Sequence, residues 1–320
     1  MASIYLRLGN FQEAEELVIL VVNKRREVLG EHHPDTLDST GDLALTLSRI
    51  GRLRDAEELN VVVLKNWRHI LGETHPYTLT AMSNLAVTYS RLGRLQEAEA
   101  LKLEVLERQR KILGQNHPDT LLSMANLAVT YHHLGRFREA EVLEVAVLQG
   151  RKSSLGENHP DTMFTMSNLA FTYHKLERLQ EAEDLGILVL EMRRNILGDN
   201  HPDTLFGMAK LAMTYGKLGR LQEAETMLVE AVKKLTDLLG HNHPTTLRAQ
   251  SNLGSTLNKL ERWKEAEDLL LPALEKQKNI LSANHPHIMN TINSLAFTYT
   301  KLGKLKEAED LNDALKRLEV

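Results

Sequence analysis

The sequence predicts an all-α solenoid built from tandem two-helix units. The main observation is a 42-residue period, marked by His-Pro pairs that use seven of the eight prolines. Each period also holds two segments with apolar residues at the three- and four-residue spacing of a helix. A fixed period of this length is typical of stacked supersecondary units. The pairs are His33-Pro34, His75-Pro76, His117-Pro118, His159-Pro160, His201-Pro202, His243-Pro244 and His285-Pro286.

The third repeat illustrates the first helix of each unit. A proline suits the first turn of a helix, where its missing N–H has no partner in any case, so we expect this helix to begin near Pro76. Gly93 then permits a left-handed cap at its end. The buried stripe is predicted to comprise Leu79, Met82, Leu85, Ala86 and Tyr89.

The second helix of the third repeat follows directly and ends at Gly114. Exposed pairs such as Glu104 and Arg108 have the favourable order of acid before base at i,i+4. Its apolar stripe is predicted to comprise Leu95, Ala98, Leu101, Val105, Ile112 and Leu113.

The repeat register predicts one solenoid domain over residues 1–320. A partial repeat and seven further ones are expected at 1–30, 31–72, 73–114, 115–156, 157–198, 199–240, 241–282 and 283–320, the last nearly full. Neither end carries the polar cap that a free solenoid needs. We therefore expect a longer parent protein, a partner that covers the ends, or end-to-end self-association.

The seventh repeat departs most from the others. Pro272 lies inside its second helix and predicts a kink or break within 268–273. Glu261 replaces the glycine between the two helices, as Glu177 does in the fifth repeat. Either glutamate would be unfavourable in a left-handed backbone.

Composition excludes several classes of protein. A net charge of −4 gives no support to a nucleic-acid or membrane partner. No apolar stretch approaches the length of a membrane helix, and the N-terminus lacks the features of a signal peptide. The absence of cysteine removes disulfides and thiolate metal sites, which fits a cytoplasmic protein.

The repeated block Asn84-Leu85-Ala86, Tyr89, Leu92-Gly93-Arg94 and Glu97-Ala98-Glu99 resembles a tetratricopeptide repeat (TPR). The resemblance implies a right-handed superhelix of helix-turn-helix units. The 42-residue form with Asn-Leu-Ala after a His-Pro loop resembles the kinesin light chain. The segment Leu-Gly-x-Asn-His-Pro-Asp-Thr-Leu also resembles the repeat arrays of fungal NOD-like receptor proteins, which often follow an NB-ARC or NACHT domain.

In the resembling family, the outward face of the first helices lines a concave groove that binds extended peptides. Three columns of this sequence fall on that face. They are Asp42, Asn84, Asn126, Asn168, Lys210, Asn252 and Ser294; then Leu45, Val87, Val129, Phe171, Met213, Ser255 and Phe297; then Arg49, Arg91, His133, Lys175, Lys217, Lys259 and Lys301.

From these columns we predict a peptide-binding site. Asparagine can donate to and accept from a peptide backbone at once, and the kinesin-light-chain resemblance implies that role for matching positions. A basic column would favour acidic ligands. The predicted contacts are Asn84, Asn126, Asn168, Asn252, Arg91, Lys175, Lys217, Val129, Phe171 and Met213. Phe164, Phe206 and Phe297 are further candidates for contact with a ligand.

Structural alternatives remain open for each column. The asparagines could instead bond to a neighbouring helix and fix the stacking of repeats. The basic residues could be solvated, or could neutralise helix C-termini. Trp67 and Trp263 are expected to serve in packing. The pattern does not match the carboxylate clamp of chaperone-binding relatives.

Catalytic and metal chemistry find little support. The loop histidines lie one repeat apart and cannot converge on one ion, so we interpret them as loop and capping residues. His132, His133 and His174 could form a pH-sensitive patch near the groove. No nucleophile-elbow, zinc-helix or phosphate-loop motif is present, and the Glu-Ala-Glu segments are interpreted as scaffold.

The sequence therefore predicts a non-enzymatic protein or peptide scaffold without metal or cofactor. Within that class we expect the sensor or scaffold part of a larger fungal NOD-like receptor. A motor cargo adapter resembling the kinesin light chain is the alternative, as is a self-assembling structural array.

Overall fold

The computed structural model describes residues 11–280 and 286–318, and all regular structure in these ranges is α-helical. The partial first helix expected before residue 11 and the loop with His285 lie outside the described residues. The helices are α1 Phe11–Leu29, α2 Pro34–Arg49, α3 Leu53–Leu71, α4 Pro76–Arg91, α5 Leu95–Leu113, α6 Pro118–His133, α7 Phe137–Leu155, α8 Pro160–Lys175, α9 Leu179–Leu197, α10 Pro202–Lys217, α11 Leu221–Leu239, α12 Pro244–Lys259, α13 Trp263–Ile280, α14 Pro286–Lys301 and α15 Leu305–Leu318. Even-numbered helices are the first helices of their repeats and odd-numbered helices the second.

Each described His-Pro loop ends in a side-chain cap. The histidine adopts an extended backbone, the proline takes the first helical position, and the imidazole Nδ1 accepts a hydrogen bond from the backbone N–H two residues on. The distances run from 3.1 to 3.3 Å. The interpretation of these histidines as capping residues is confirmed. The capping histidines are His33, His75, His117, His159, His201 and His243.

The chain divides into two compact units, Met1–Ser154 and Leu155–Val320. Within each unit consecutive helices pack against each other, and neighbouring first helices such as α10 and α12 also touch. Small residues at the predicted close-packing positions, Ala98 and Ala224 among them, are fully buried. The predicted all-α solenoid of tandem repeats is confirmed.

Ion pairs between repeats explain the Glu-Ala-Glu segments. Arg136 bonds to Glu139 of its own repeat at 2.6 Å and to Glu99 of the preceding repeat at 2.7 Å. Its guanidinium also covers the ring of Tyr131, 4.5 Å from the centroid. The same arrangement recurs at Arg94 and Arg220. The first glutamate of each segment therefore pairs with the arginine at the start of its own helix, and the second pairs with the arginine of the next repeat.

Two sequence expectations about the backbone have different outcomes. The break expected within 268–273 is wrong, because α13 continues as a single helix through Pro272. Pro272 and the residue four before it, Asp268, are both exposed, so the carbonyl that loses its partner can bond to water. Leu270 and Leu274 on the other side of the helix are buried and keep it packed.

Glu177 and Glu261 do adopt left-handed backbones, with φ of 60° and 62°.

Candidate peptide-binding face

The outward side of the first helices, here called the first-helix face, carries the three predicted columns. None of their 21 side chains is buried: all are half-buried or exposed. The buried stripe on the opposite side of the same helices contains residues such as Met82 and Leu205, at 0% and 1% exposure. Each unit therefore presents its share of the columns to solvent.

The asparagine column offers free amide groups. In the described ranges no hydrogen bond from another residue reaches the side chains of Asn84, Asn126, Asn168 or Asn252. Their backbone carbonyls, in contrast, accept hydrogen bonds from the threonine four residues on. The geometry gives no support to the alternative that these amides fix the stacking of repeats.

That threonine column is a feature that the sequence analysis missed. It repeats every 42 residues, is almost fully buried, and makes contacts with the preceding repeat at several positions. Thr88 accepts from Asn60 Nδ2 at 3.0 Å, and Thr298 donates to Asn258 at 2.8 Å. The period itself is visible in the sequence, but a threonine in a helix gives no sign of burial. The residues are Thr46, Thr88, Thr130, Thr172, Thr214, Thr256 and Thr298.

Several members of the basic column contact the preceding repeat. Arg91 donates to the carbonyl of Ser48 at 2.6 Å, and Lys217 donates to that of His174 at 3.2 Å. Each acceptor lies in the last turn of the preceding first helix, where carbonyls lack helical partners. Lys217 also pairs with Glu177. These cations therefore neutralise helix C-termini, as the alternative for this column states, while their side chains remain exposed.

Aromatic and cationic side chains alternate on the first-helix face of the second unit. Lys210 Nζ lies 5.7 Å from the ring centroid of Phe171 and 5.0 Å from that of Phe206. The Arg248 guanidinium covers the Phe206 ring, 3.7 Å from its centroid, and contacts His287 Nε2 at 3.3 Å. Burial lowers the pKa of Arg248 to about 10. Such contacts hold the phenyl rings in place and surround them with positive charge.

A small cavity opens on the same face of the first unit. It is lined by Val87 and Asn126 from the predicted columns and by Lys102 from the second helix α5. Lys102 Nζ donates to Thr130 Oγ1 at 2.6 Å, which ties α5 to α6. Burial lowers the pKa of Lys102 to about 8. The sequence analysis did not assign this lysine to the face, because it belongs to a second helix.

A larger cavity opens on the first-helix face of the second unit. It encloses about 410 Å³, counting the open space at its mouth, and is lined by α8, α9 and α10. Phe171 and Met213, both predicted ligand contacts, contribute to its wall together with Lys210. Gly186 and Gly207, neither of which has a side chain, also line it.

His174 lies beside this cavity and is buried, with 5% of its surface exposed. Its Nδ1 lies 3.2 Å from Thr214 Oγ1, and its ring stacks on Phe171. Burial, reinforced by the nearby charges of Lys217 and Lys175, lowers the pKa of His174 to about 4. The ring is therefore neutral near pH 7.

The other two histidines proposed for a pH-sensitive patch lie in the first unit. His132 Nε2 is 3.1 Å from the buried carboxylate of Glu144. Burial, with the charges of His132 and Lys102, lowers the pKa of His133.

Of the two tryptophans, Trp67 is 4% exposed and stacks on Tyr77, which confirms its packing role. Trp263 is half-buried and meets Phe297 edge to face.

Comparison with protein-family models decides the family. A model described as tetratricopeptide repeat matches residues 1–61, 63–107, 82–153, 161–237, 207–278 and 245–317. The chain belongs to the tetratricopeptide repeat family. TPR proteins bind protein or peptide partners, and the fold is generally a non-catalytic scaffold.

Solved structures give the same result. A kinesin light chain of Podospora anserina with nearly identical TPR-like repeats is 30% identical, with a TM-score of 0.58, and the match covers 64% of this chain and 98% of that one. BtubC from P. vanneervenii is 22% identical, with a TM-score of 0.62 and coverage of 73% and 94%. The apo quorum sensor NprR from B. thuringiensis is 16% identical, with a TM-score of 0.69 and coverage of 100% and 86%. The last two show a shared fold alone. A comparison with curated proteins gave no match.

Within residues 11–280 and 286–318 of this TPR protein, no helix is long and apolar enough to cross a membrane. Within the same ranges, no three histidine, aspartate or glutamate side chains are grouped so that they could hold a metal ion. The clearest candidate site is therefore the first-helix face of each unit.

Proposed function

We propose that the TPR array is a non-catalytic scaffold whose first-helix face binds an extended protein segment. The supporting observation is the set of exposed asparagine amides that have no partner among the described residues. A peptide backbone supplies both the C=O and the N–H with which such an amide can form hydrogen bonds. Asn84 and Asn126 would serve this role in the first unit, and Asn168 and Asn252 in the second.

The apolar and charged columns define the preferred sequence of the bound segment. Val129 in the first unit and Phe171 and Met213 in the second would contact apolar side chains of the ligand. Lys175, whose Nζ lies 5.4 Å from the Phe171 ring, would favour acidic residues next to them. Arg91 and Lys217 keep exposed side chains and would add to this attraction from their positions at helix ends.

The biological context belongs to the same proposal. We infer that the array is the sensor or scaffold part of a larger fungal NOD-like receptor. The match to kinesin-light-chain-type repeats of a fungus supports the fungal context. A kinesin-light-chain-like cargo adapter is the alternative. A nucleotide-binding domain encoded upstream in the same transcript would favour the receptor, and its absence from the full-length transcript would favour the adapter.

Selection of random extended peptides tests the binding face. Peptides that combine acidic and apolar residues are expected to be enriched on the intact chain. The double substitution Asn126→Ala/Asn168→Ala should weaken their binding by about 1 kcal/mol or more, because each change removes a backbone contact. Asn116→Ala/Asn158→Ala is the matched control, since both of these asparagines lie in exposed loops.

Equal weakening by the two double substitutions would contradict the proposal, as would a failure to enrich any peptide. A mass that rises with protein concentration in the absence of peptide would instead favour the self-assembling array. Weaker binding at higher salt is expected if the cations contribute.

A further inference from the structure

The cavity in the second unit occupies a position that is filled in other repeats. Gly186 stands where the equivalent second-helix residues are Val18, Asn60, Lys102, Glu144, Leu228, Leu270 and Asn312. Five of these seven side chains are 0% to 7% exposed, whereas Lys102 is half-buried and Asn312, in the last repeat, is exposed. A side chain at this position is therefore ordinarily part of the packed interior. At Gly186 that side chain is missing.

Leu270 shows what such a side chain does within the same unit. A Cβ added to Gly254 of α12 would come within 2.5 Å of Leu270 Cγ, so the leucine packs directly onto the first helix. The residue equivalent to Gly254 in the fifth repeat is Ala170, which lines the cavity. The volume that Leu270 fills in the seventh repeat thus corresponds to the space between Ala170 and Gly186, which Leu211 fills in part and the cavity in part.

A second glycine, Gly207, also lines the cavity and occupies the position held by alanine, serine or threonine in the other repeats, such as Ala249 and Thr165. A Cβ at Gly207 would lie 2.9 Å from Arg193 Nη1, so this glycine makes room for that guanidinium. The remaining wall is mainly apolar and includes Phe171, Val189 and Met213. Entry of an apolar group into such a space is favourable, because apolar surface is removed from water.

The charges at the mouth favour one kind of ligand. Lys210 lines the cavity itself, and Lys175 lies over the ring of Phe171 on its wall. The lining residues include no aspartate or glutamate. A carboxylate next to the apolar group would therefore be attracted, and a cationic neighbour repelled.

We propose that the Gly186 cavity is an anchor pocket for a leucine- or methionine-sized side chain that is flanked by a carboxylate. The pocket would select one position of a bound segment, whereas the four asparagines of the column would contact the backbone in their respective repeats. This inference rests on the proposed function for its peptide ligand. Its apolar part also stands alone, because the space accepts a small molecule without a peptide.

The first experiment uses a small probe. Sodium 4-methylpentanoate carries the leucine side chain next to a carboxylate, and acetate carries the carboxylate alone. With ¹³C-methyl methionine, the signal of Met213 is expected to shift with increasing 4-methylpentanoate. The signal of Met124, buried in the first unit, should remain unchanged, and acetate should have little effect.

Filling the pocket supplies the matched variants. Gly186→Leu copies Leu228 of the next repeat and should abolish the Met213 shift. Its Cβ would lie 3.0 Å from Leu211 Cδ1, and a leucine equivalent to Leu211 sits beside larger residues in the other repeats, so a small adjustment is expected. Gly186→Ala occupies less of the space and should reduce the shift only in part, which keeps the test valid if the leucine variant folds poorly.

Peptides from the selection then link the pocket to the binding face. Peptides with a required leucine or methionine should bind Gly186→Leu about 10-fold more weakly or worse, as expected for the loss of one buried apolar side chain. No Met213 shift with 4-methylpentanoate, or an equal shift with acetate, would overturn the pocket. Selected peptides that bind parent and Gly186→Leu equally would also overturn it, yet leave the proposed function standing. If the selection enriches no peptide but the Met213 signal still shifts with 4-methylpentanoate, only the proposed function would be overturned.

Discussion

Individual side chains show where burial departs from what the sequence reveals. Asn84 and Thr88 are both polar residues one turn apart on one helix, yet the first points outward and the second is buried. Helical spacing predicts the outward position of the asparagine, because it lies away from the apolar stripe. It does not reveal that Thr88 packs against Asn60 of the preceding repeat, since that contact joins residues far apart in the chain.

His174 gives a prediction for pH dependence in the second unit. Its pKa is lowered to about 4 in the fold, against an ordinary value near 6.5. Between these values the unfolded chain binds a proton that the folded chain does not. The free energy of unfolding should therefore fall as the pH drops from 6.5 to 4, by up to about 3 kcal/mol from this residue.

Chemical denaturation of the parent and His174→Gln across this pH range measures the effect. The free energy of unfolding of His174→Gln should depend less on pH, because glutamine does not titrate. His159→Gln, at a capping position, should keep the pH dependence of the parent. Identical slopes for parent and His174→Gln would show that the residue titrates alike in both states.

Glu261 gives a prediction about backbone strain. Its φ of 62° is unfavourable for any residue with a Cβ. Glu261→Gly should raise the free energy of unfolding by about 1 kcal/mol, measured by urea denaturation. Glu261→Ala removes the same carboxylate but keeps the Cβ, so it should give no comparable gain. A larger gain for alanine than for glycine would argue against strain at this turn.

Helix starts and ends were the most predictable elements. The prolines and, in most repeats, the glycine turns place the first and second helices, because both depend on local backbone preferences. Pro272 was the exception, since the packing of Leu270 and Leu274 keeps the helix continuous where local preference predicts a break. Sequence alone does not show whether a solvent-facing carbonyl can replace its lost partner with water.

The imidazole caps give a prediction at the scale of one helix. His201 Nδ1 accepts from the N–H of Asp203 at 3.2 Å at the start of α10. His201→Ala should lower the free energy of unfolding by about 1 kcal/mol, because that N–H loses its acceptor. His201→Asp supplies another acceptor and should retain most of the stability. Urea denaturation of both variants checks this, and equal losses would mean that the cap contributes through packing.

At the scale of the whole molecule, the 42-residue period makes the fold predictable but does not reveal the proposed Gly186 pocket. Every repeat follows one pattern, so its common features report stacking, and specificity must lie in the departures from it. Gly186 is such a departure, but a single glycine in a helix gives no sign of a cavity until the equivalent Leu228 is seen to be buried. The general face could therefore be predicted from sequence, and its pocket could not.

The ion-pair ladder gives a last prediction about how repeats within a unit depend on one another. Arg136 joins Glu99 of α5 to Glu139 of α7 and covers Tyr131 of α6, so three helices meet at one guanidinium. Arg136→Gln should speed amide hydrogen exchange in all three helices of the first unit, because local opening of one repeat would no longer be opposed by its neighbour. Arg138→Gln removes the same charge from an exposed position two residues away and should leave exchange unchanged. Faster exchange confined to α7 would mean that the arginine stabilises only its own helix start, and the stacking would then depend on apolar packing and on hydrogen bonds such as that of Lys102 to Thr130.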